Sequence, residues 1–179
     1  TVDNVGTSIL GDTPGQGGFY TLASVGETST TTNASNANFK IIASPIGSTR
    51  GNLFSLTGSN GNAAANYMFK VGLDNVWATR AEGNNMLEFT VEINPGARAT
   101  VSTNTFGVTI YDETYATLGG FYILSQSGQL IGQSSNGGYS LTDAIIPASA
   151  FTKITVAYDS ATADVYVRVG DSENYFKLP

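Results

Sequence analysis

Nine residues, Met86–Asn94, constrain this chain more than any others: Met-Leu-Glu-Phe-Thr-Val-Glu-Ile-Asn. Leu87, Phe89, Val91 and Ile93 fall on one side of an extended segment, and Glu88, Thr90 and Glu92 fall on the other. Successive side chains of a strand point to opposite faces, so this period of two predicts a strand with one buried and one wet face. Burial of four such side chains contributes on the order of 6–10 kcal/mol before conformational entropy is subtracted. The pattern predicts that this strand is central to the fold.

Two further stretches carry the same signal. Phe151–Asp159 and Asp164–Val169 read as a hairpin, with Ile154, Val156 and Tyr158 on one face and Val165, Val167 and Val169 on the partner's. Thr105–Tyr111 sets Phe106, Val108 and Ile110 against Thr105, Thr109 and Tyr111. Shorter strands are expected at Phe19–Ala23, Phe39–Ala43, Leu53–Thr57, Tyr67–Val71, Val76–Arg80, Tyr115–Leu118, Phe121–Ser125, Gln129–Gly132 and Asn174–Leu178. Between them lie turn-forming runs such as Gly58–Asn62, Ala81–Asn85, Gly119-Gly120 and Ser134–Gly138. Roughly ten to thirteen strands and no helix imply an all-β sandwich or barrel. The length suits one domain over residues 1–179. Residues 1–18 read as an edge strand and a glycine-rich loop, a segment able to pair with its own sheet or with another copy.

Composition narrows the partners. Charged residues make up 12% of the chain, about half the usual ~25%, and Gly, Ser, Thr and Asn take their place. The net charge is −6, and the eight basic residues are scattered singly. That distribution argues against nucleic acid and against a polybasic membrane-surface segment. No apolar run reaches the ~18 residues of a transmembrane helix. The absence of cysteine and histidine excludes disulfides, thiol nucleophiles, zinc–thiolate sites and a Ser-His-Asp triad. Low charge, abundant Thr, Ser and Asn, and no Cys together point to an extracellular or cell-surface protein.

The final hairpin, Phe151-Thr-Lys-Ile-Thr-Val-Ala-Tyr-Asp159 with Ala163-Asp-Val-Tyr-Val-Arg-Val169, resembles the end of concanavalin A-like and laminin G-like domains. The alternating strands at Met86–Asn94 and Thr105–Tyr111 resemble their middle. The resemblance implies a two-sheet antiparallel jelly roll of a bacterial surface or secreted protein, and many such domains bind glycans. Fold by itself does not decide between binding and purely structural roles. Laminarinase-like glycosidases on the same fold carry Glu-x-Asp-x-Glu on a central strand, nucleophile first and acid/base last. Glu88 and Glu92 match the two outer positions, but Thr90 stands where the Asp belongs. Threonine cannot supply the central charge that helps keep the two carboxyls differently protonated, so the expectation is a protein that is not an enzyme.

A ligand site is expected around Trp77, the only tryptophan, with Asn75, Arg80, Asn84 and Asn85 at its rim. Tyr111, Tyr115 and Tyr122 are further candidates for an aromatic platform, since a flat ring face suits a pyranose. Asp74, Asn75, Glu82, Asn84 and Asn85 offer oxygens suited to Ca²⁺, but their spacing matches no metal loop, and turn formation is the simpler account of the same residues. No other cofactor is implied. The expected role is recognition or adhesion with a carbohydrate partner. The rivals are a self-assembling structural subunit that associates through strand edges, and a glycosidase using Glu88 and Glu92.

Overall fold

The computed structural model describes residues 19–25, 28–30, 38–44, 49–58, 65–100 and 104–179. The described residues are all-β apart from one short helix, and the chain divides into two compact units, Thr1–Arg80 and Ala81–Pro179. The exchangeable segment expected at 1–18 lies outside the described residues.

The Thr1–Arg80 unit holds β1 (Tyr20–Val25), β2 (Thr28–Thr30), β3 (Phe39–Ile42), β4 (Leu53–Leu56), β5 (Ala65–Phe69) and α1 (Leu73–Ala78). Its strands form two antiparallel sheets, β2-β1-β5 and β3-β4. Phe39 and Ile41 alternate inward on β3 and are buried. Ring contacts support them: Phe19 meets Phe54 edge-on at 5.0 Å, and Tyr20 stacks on Phe69 at 5.2 Å.

The segment around Trp77 was expected to be a strand; it is instead the helix α1. Gly72 at its N-cap sits at φ 85°, a left-handed conformation open to glycine without steric cost. Thr79 closes the other end, its hydroxyl donating to Val76 O at 3.1 Å. Only six residues lie between these caps, too few for an apolar stripe of helical period to show in the sequence.

The Ala81–Pro179 unit is a two-sheet antiparallel sandwich. It contains β6 (Met86–Ile93), β7 (Thr105–Tyr111), β8 (Thr117–Leu124), β9 (Gln129–Ser134), β10 (Gly137–Ile145), β11 (Thr152–Asp159), β12 (Asp164–Val169) and β13 (Phe176–Lys177). One sheet runs β10-β9-β8-β7, a meander of consecutive hairpins; the other runs β13-β12-β11-β6. The Greek-key crossings that define a jelly roll do not occur among the four meander strands. Between the sheets Phe121, Ile123 and Leu130 meet Ile154, Val156, Val165 and Val167, with Ile146 and Leu178 closing the rim. All nine are buried and form the core of this unit.

β6 has the predicted alternation, with Phe89, Val91 and Ile93 packed against that core. Its place is different from the expectation: it is the outermost strand of its sheet, and β11 and β12 are central. With a neighbour on one side only, its inward side chains are half-buried where Ile154 and Val156 of β11 are fully buried.

Gly119-Gly120, expected to separate two strands, lies inside the continuous strand β8. A Cβ on Gly119 would stand 3.2 Å from Val165 Cγ1, and one on Gly120 would stand 2.5 Å from the Val108 carbonyl oxygen. These glycines permit close approach rather than a turn. β10 occupies a stretch that carried no strand signal; its pairing with β9 slips between Ser140 and Ile145, which spoils the period of two.

Candidate recognition site

Hairpin order decides which turns share an end of the Ala81–Pro179 sandwich. Ile110 pairs with Gly119, Gly119 with Ser134 and Ser134 with Gly137, so the β7–β8 and β9–β10 turns leave the same end of their sheet. In the other sheet Asp159 pairs with both Met86 and Asp164, which places the β11–β12 turn beside the start of β6. The Gly119–Val165 approach shows that these two ends coincide. One end of the sandwich thus gathers Asn84, Asn85, Tyr111, Tyr115, residues 134–136 and residues 160–164.

The β7–β8 turn is built around a single carboxylate oxygen. Asp112 Oδ1 accepts from the Thr114 amide at 2.8 Å, the Thr114 hydroxyl at 2.8 Å and the Ala116 amide at 2.9 Å. The Thr114 hydroxyl, then the Ala116 amide, holds the Asp112 carboxyl below the usual carboxylate range. Two backbone bonds, Asp112 N to Ala116 O and Tyr115 N to Asp112 O, tighten the same turn. At its apex Tyr115 sits at φ 64°, a left-handed conformation that costs a bulky residue on the order of 1 kcal/mol. Its side chain is 86% exposed, and Tyr111, beyond a register shift at the end of β7, is 53% exposed. Two aromatic faces are therefore held out in water by a rigid turn.

On the same end a polar recess of about 260 Å³ opens between the β9–β10 turn, the β11–β12 turn and Leu178–Pro179 at the end of the chain. Ser134, buried in its wall, accepts from the Asn136 amide at 3.2 Å. Asp164 forms an ion pair with Lys177 at 2.7 Å and accepts from the Tyr166 hydroxyl at 3.3 Å. Lys177 holds the Asp164 carboxyl below its ordinary value, and Asp164 in turn raises the Lys177 ammonium. The sequence presented residues 134–136 and 159–163 only as turns; their meeting depends on contacts distant in the chain. Asn85 joins this end through its carbonyl, which accepts from the Ser160 amide at 2.9 Å and the Ser160 hydroxyl at 3.1 Å. Asn84 Oδ1 accepts from Met86 N at 3.4 Å.

The other residues expected at the site lie elsewhere in the chain. Trp77, Arg80 and the backbone of Asn75 belong to the Thr1–Arg80 unit. The Arg80 guanidinium lies 4.0 Å from the Trp77 ring centre and donates to the Trp77 carbonyl at 3.0 Å, so a cation already covers that ring face. Tyr122, half-buried, lies with its hydroxyl over Gly138 on the meander sheet rather than beside Tyr115. Asp74 and Glu82, the two carboxylates of the expected Ca²⁺ set, fall in different units and are both exposed. Among the described residues no group of three or more His, Cys, Asp or Glu side chains is arranged to hold a metal.

Glu88 and Glu92 stand on the outward face of β6. Four residues of strand separate their Cα atoms by about 13 Å, so their carboxyls reach the ~5–5.5 Å of a retaining glycosidase only by leaning together over Thr90. Glu88 is held by another group: Tyr175 OH donates to its Oε2 at 2.7 Å, and the Arg168 guanidinium lies 4.7 Å from the Tyr175 ring centre. The hydrogen bond to Glu88 raises the Tyr175 phenol, since it holds the hydroxyl in its protonated form. Between the glutamates the Thr90 and Thr155 hydroxyls share a hydrogen bond of 2.8 Å, a neutral contact where a carboxylate would be needed.

No protein-family model matches this sequence, and no curated protein or solved structure matches it either.

Proposed function

We propose that the Ala81–Pro179 unit is a non-catalytic recognition module of a secreted or cell-surface protein, with a glycan as its ligand. The observation that carries this reading is Tyr115: a large aromatic side chain kept exposed at positive φ by three hydrogen bonds to Asp112. Local strain of that kind persists where the surrounding structure over-determines it, and it concentrates at ligand clamps. Tyrosine combines a flat apolar face with a polar tip at a low entropic cost of ordering, which suits stacking on a sugar ring. Tyr111 extends the platform. Trp77 contributes no platform in this reading, because Arg80 occupies its face.

The test is a glycan array probed with the full chain, followed by titration of the best hit against Tyr115→Ala. The expected result is binding that weakens by about 1–3 kcal/mol in the variant, with an unchanged unfolding midpoint. Binding unaffected by Tyr115→Ala overturns the role of the platform. Reducing sugar released from a β-glucan by wild type but not by Glu88→Gln would replace the binding module with a glycosidase.

A further inference from the structure

The recess of about 260 Å³ beside the tyrosine platform is not explained by the turns that enclose it. Ligand pockets usually begin near ~300 Å³, so this one is sized for a single small ring rather than a chain. It is lined by Ser134, Ser135, Asn136, Thr162 and Asp164, with Leu178 as an apolar neighbour; the Asp164 carboxylate already accepts from Lys177 and Tyr166. Hydroxyls and amides both donate and accept, and the carboxylate accepts; this set matches a ligand bearing several neighbouring hydroxyl groups. Water alone also satisfies such groups, but the sandwich places them two strand spacings, about 10 Å, from the β7–β8 turn that carries Tyr115.

Charge selects further. The Ala81–Pro179 unit carries ten acidic and four basic residues, whereas Thr1–Arg80 carries four of each, so the whole net charge of −6 belongs to the unit with the recess. At the recess end stand Glu82, Asp112, Glu113, Asp159 and Asp164, with Lys177 as the cation paired to Asp164. A ligand bringing another carboxylate or a sulfate meets net negative charge there; a neutral ring does not.

We infer that this recess is a subsite for one neutral pyranose of the glycan whose other ring stacks on Tyr115. The inference rests on the glycan-binding reading above and adds the charge class of the ligand and the residues that read its hydroxyls. Asn136 is the principal polar contact, because it is an exposed residue of the β9–β10 turn on the lining of the recess and its amide both donates and accepts.

The experiment is NMR titration of the full chain with the neutral disaccharides cellobiose, maltose and lactose, and with the acidic sialyllactose. Backbone amide shifts map the contact, and Asn136→Ala and Thr162→Val are titrated in parallel with Tyr115→Ala. The expected outcome is shift changes at residues 134–136 and 162–165 for a neutral disaccharide, weakened about tenfold by Asn136→Ala, with sialyllactose at least as much weaker than lactose. Shifts confined to residues 111–116, with Asn136→Ala and Thr162→Val binding as wild type, overturn the subsite and leave the platform standing. Sialyllactose binding as tightly as lactose overturns the charge class. No shift at either place with any of the sugars overturns the subsite and the glycan reading together.

Discussion

The two units solve the same problem with different means. In Ala81–Pro179, strands of six to nine residues bury nine apolar side chains in one contiguous core, and only the two-residue β13 is shorter. In Thr1–Arg80, strands of three to six residues are supported by ring contacts. Its buried side chains, among those described, are Phe39 and Ile41, while Tyr67, Phe69, Val71 and Val76 stay exposed. The comparison teaches that overall apolar content is a poor guide to core formation. What matters is alternation sustained long enough for two sheets to interdigitate, and the second unit has it.

Replacing core residues tests that difference most directly. Phe121→Ala in β8 should cost about 3–5 kcal/mol in a denaturant titration, because it empties a fully buried site. Phe54→Ala, which removes half of an edge-on ring pair in the first unit, should cost about 1–2 kcal/mol. Equal costs would break the comparison. Phe89→Ala falls between them at about 2–3 kcal/mol, since β6 is an outer strand.

Gly120→Ala comes next. A methyl group there meets the Val108 carbonyl and the Thr109 Cα, both backbone, so neither can swing aside. The expected loss is about 2–3 kcal/mol. A neutral substitution would mean that β7 and β8 separate more readily than their pairing suggests.

Acid should weaken the second unit in a graded way. Asp112, Asp164 and Asp171 are all held below the ordinary aspartate value, by the Thr114 hydroxyl, by Lys177 and by Lys153 respectively. A carboxyl with a lower folded than unfolded pKa stabilises fully above the unfolded value, about 3.9. That contribution disappears as pH falls through the folded value. Stability should therefore be flat from neutral pH to about pH 4 and decline below it. The decline should be smaller in high salt, because the groups are exposed. Urea titrations across that range check it; an unchanged midpoint at about pH 3 would show that these contacts add nothing.

The smallest effect is expected at the tip. Tyr115→Gly relieves the left-handed strain but loosens the unfolded chain, for a net gain of about 0.5 kcal/mol. A loss above about 1 kcal/mol would show that the ring supports the fold rather than a ligand.

Much of this architecture was readable in the sequence where one face is buried and the other wet, as at β6, β11 and β12. Adjacency was not readable: nothing in Met86–Ile93 distinguishes an outer strand from a central one, because alternation reports faces and not neighbours. α1 escaped because six residues complete fewer than two turns. β10 escaped because its slipped register mixes inward and outward residues. At the candidate site, the tyrosines and Asn84–Asn85 stood out as chemistry-bearing residues in turns. The recess did not, because Ser134 and Thr162 meet only through the stacking of two sheets.

The pairing of β6 with β11 bears on how the second unit assembles. Every other strand pairing described in it joins sequence neighbours, whereas this one joins Ile93 to Thr152 and Met86 to Asp159, 59 and 73 residues apart. Closing so long a loop carries an entropic cost that local hairpins avoid, and non-local pairing slows folding. The meander and the β11–β12 hairpin can form first and leave an open sheet edge along β11 until β6 arrives. During that interval the exposed backbone of β11 is a template for any extended chain, including the β6 of a second molecule. The strand that stands out most in the sequence is thus the one whose pairing closes the longest loop of its unit.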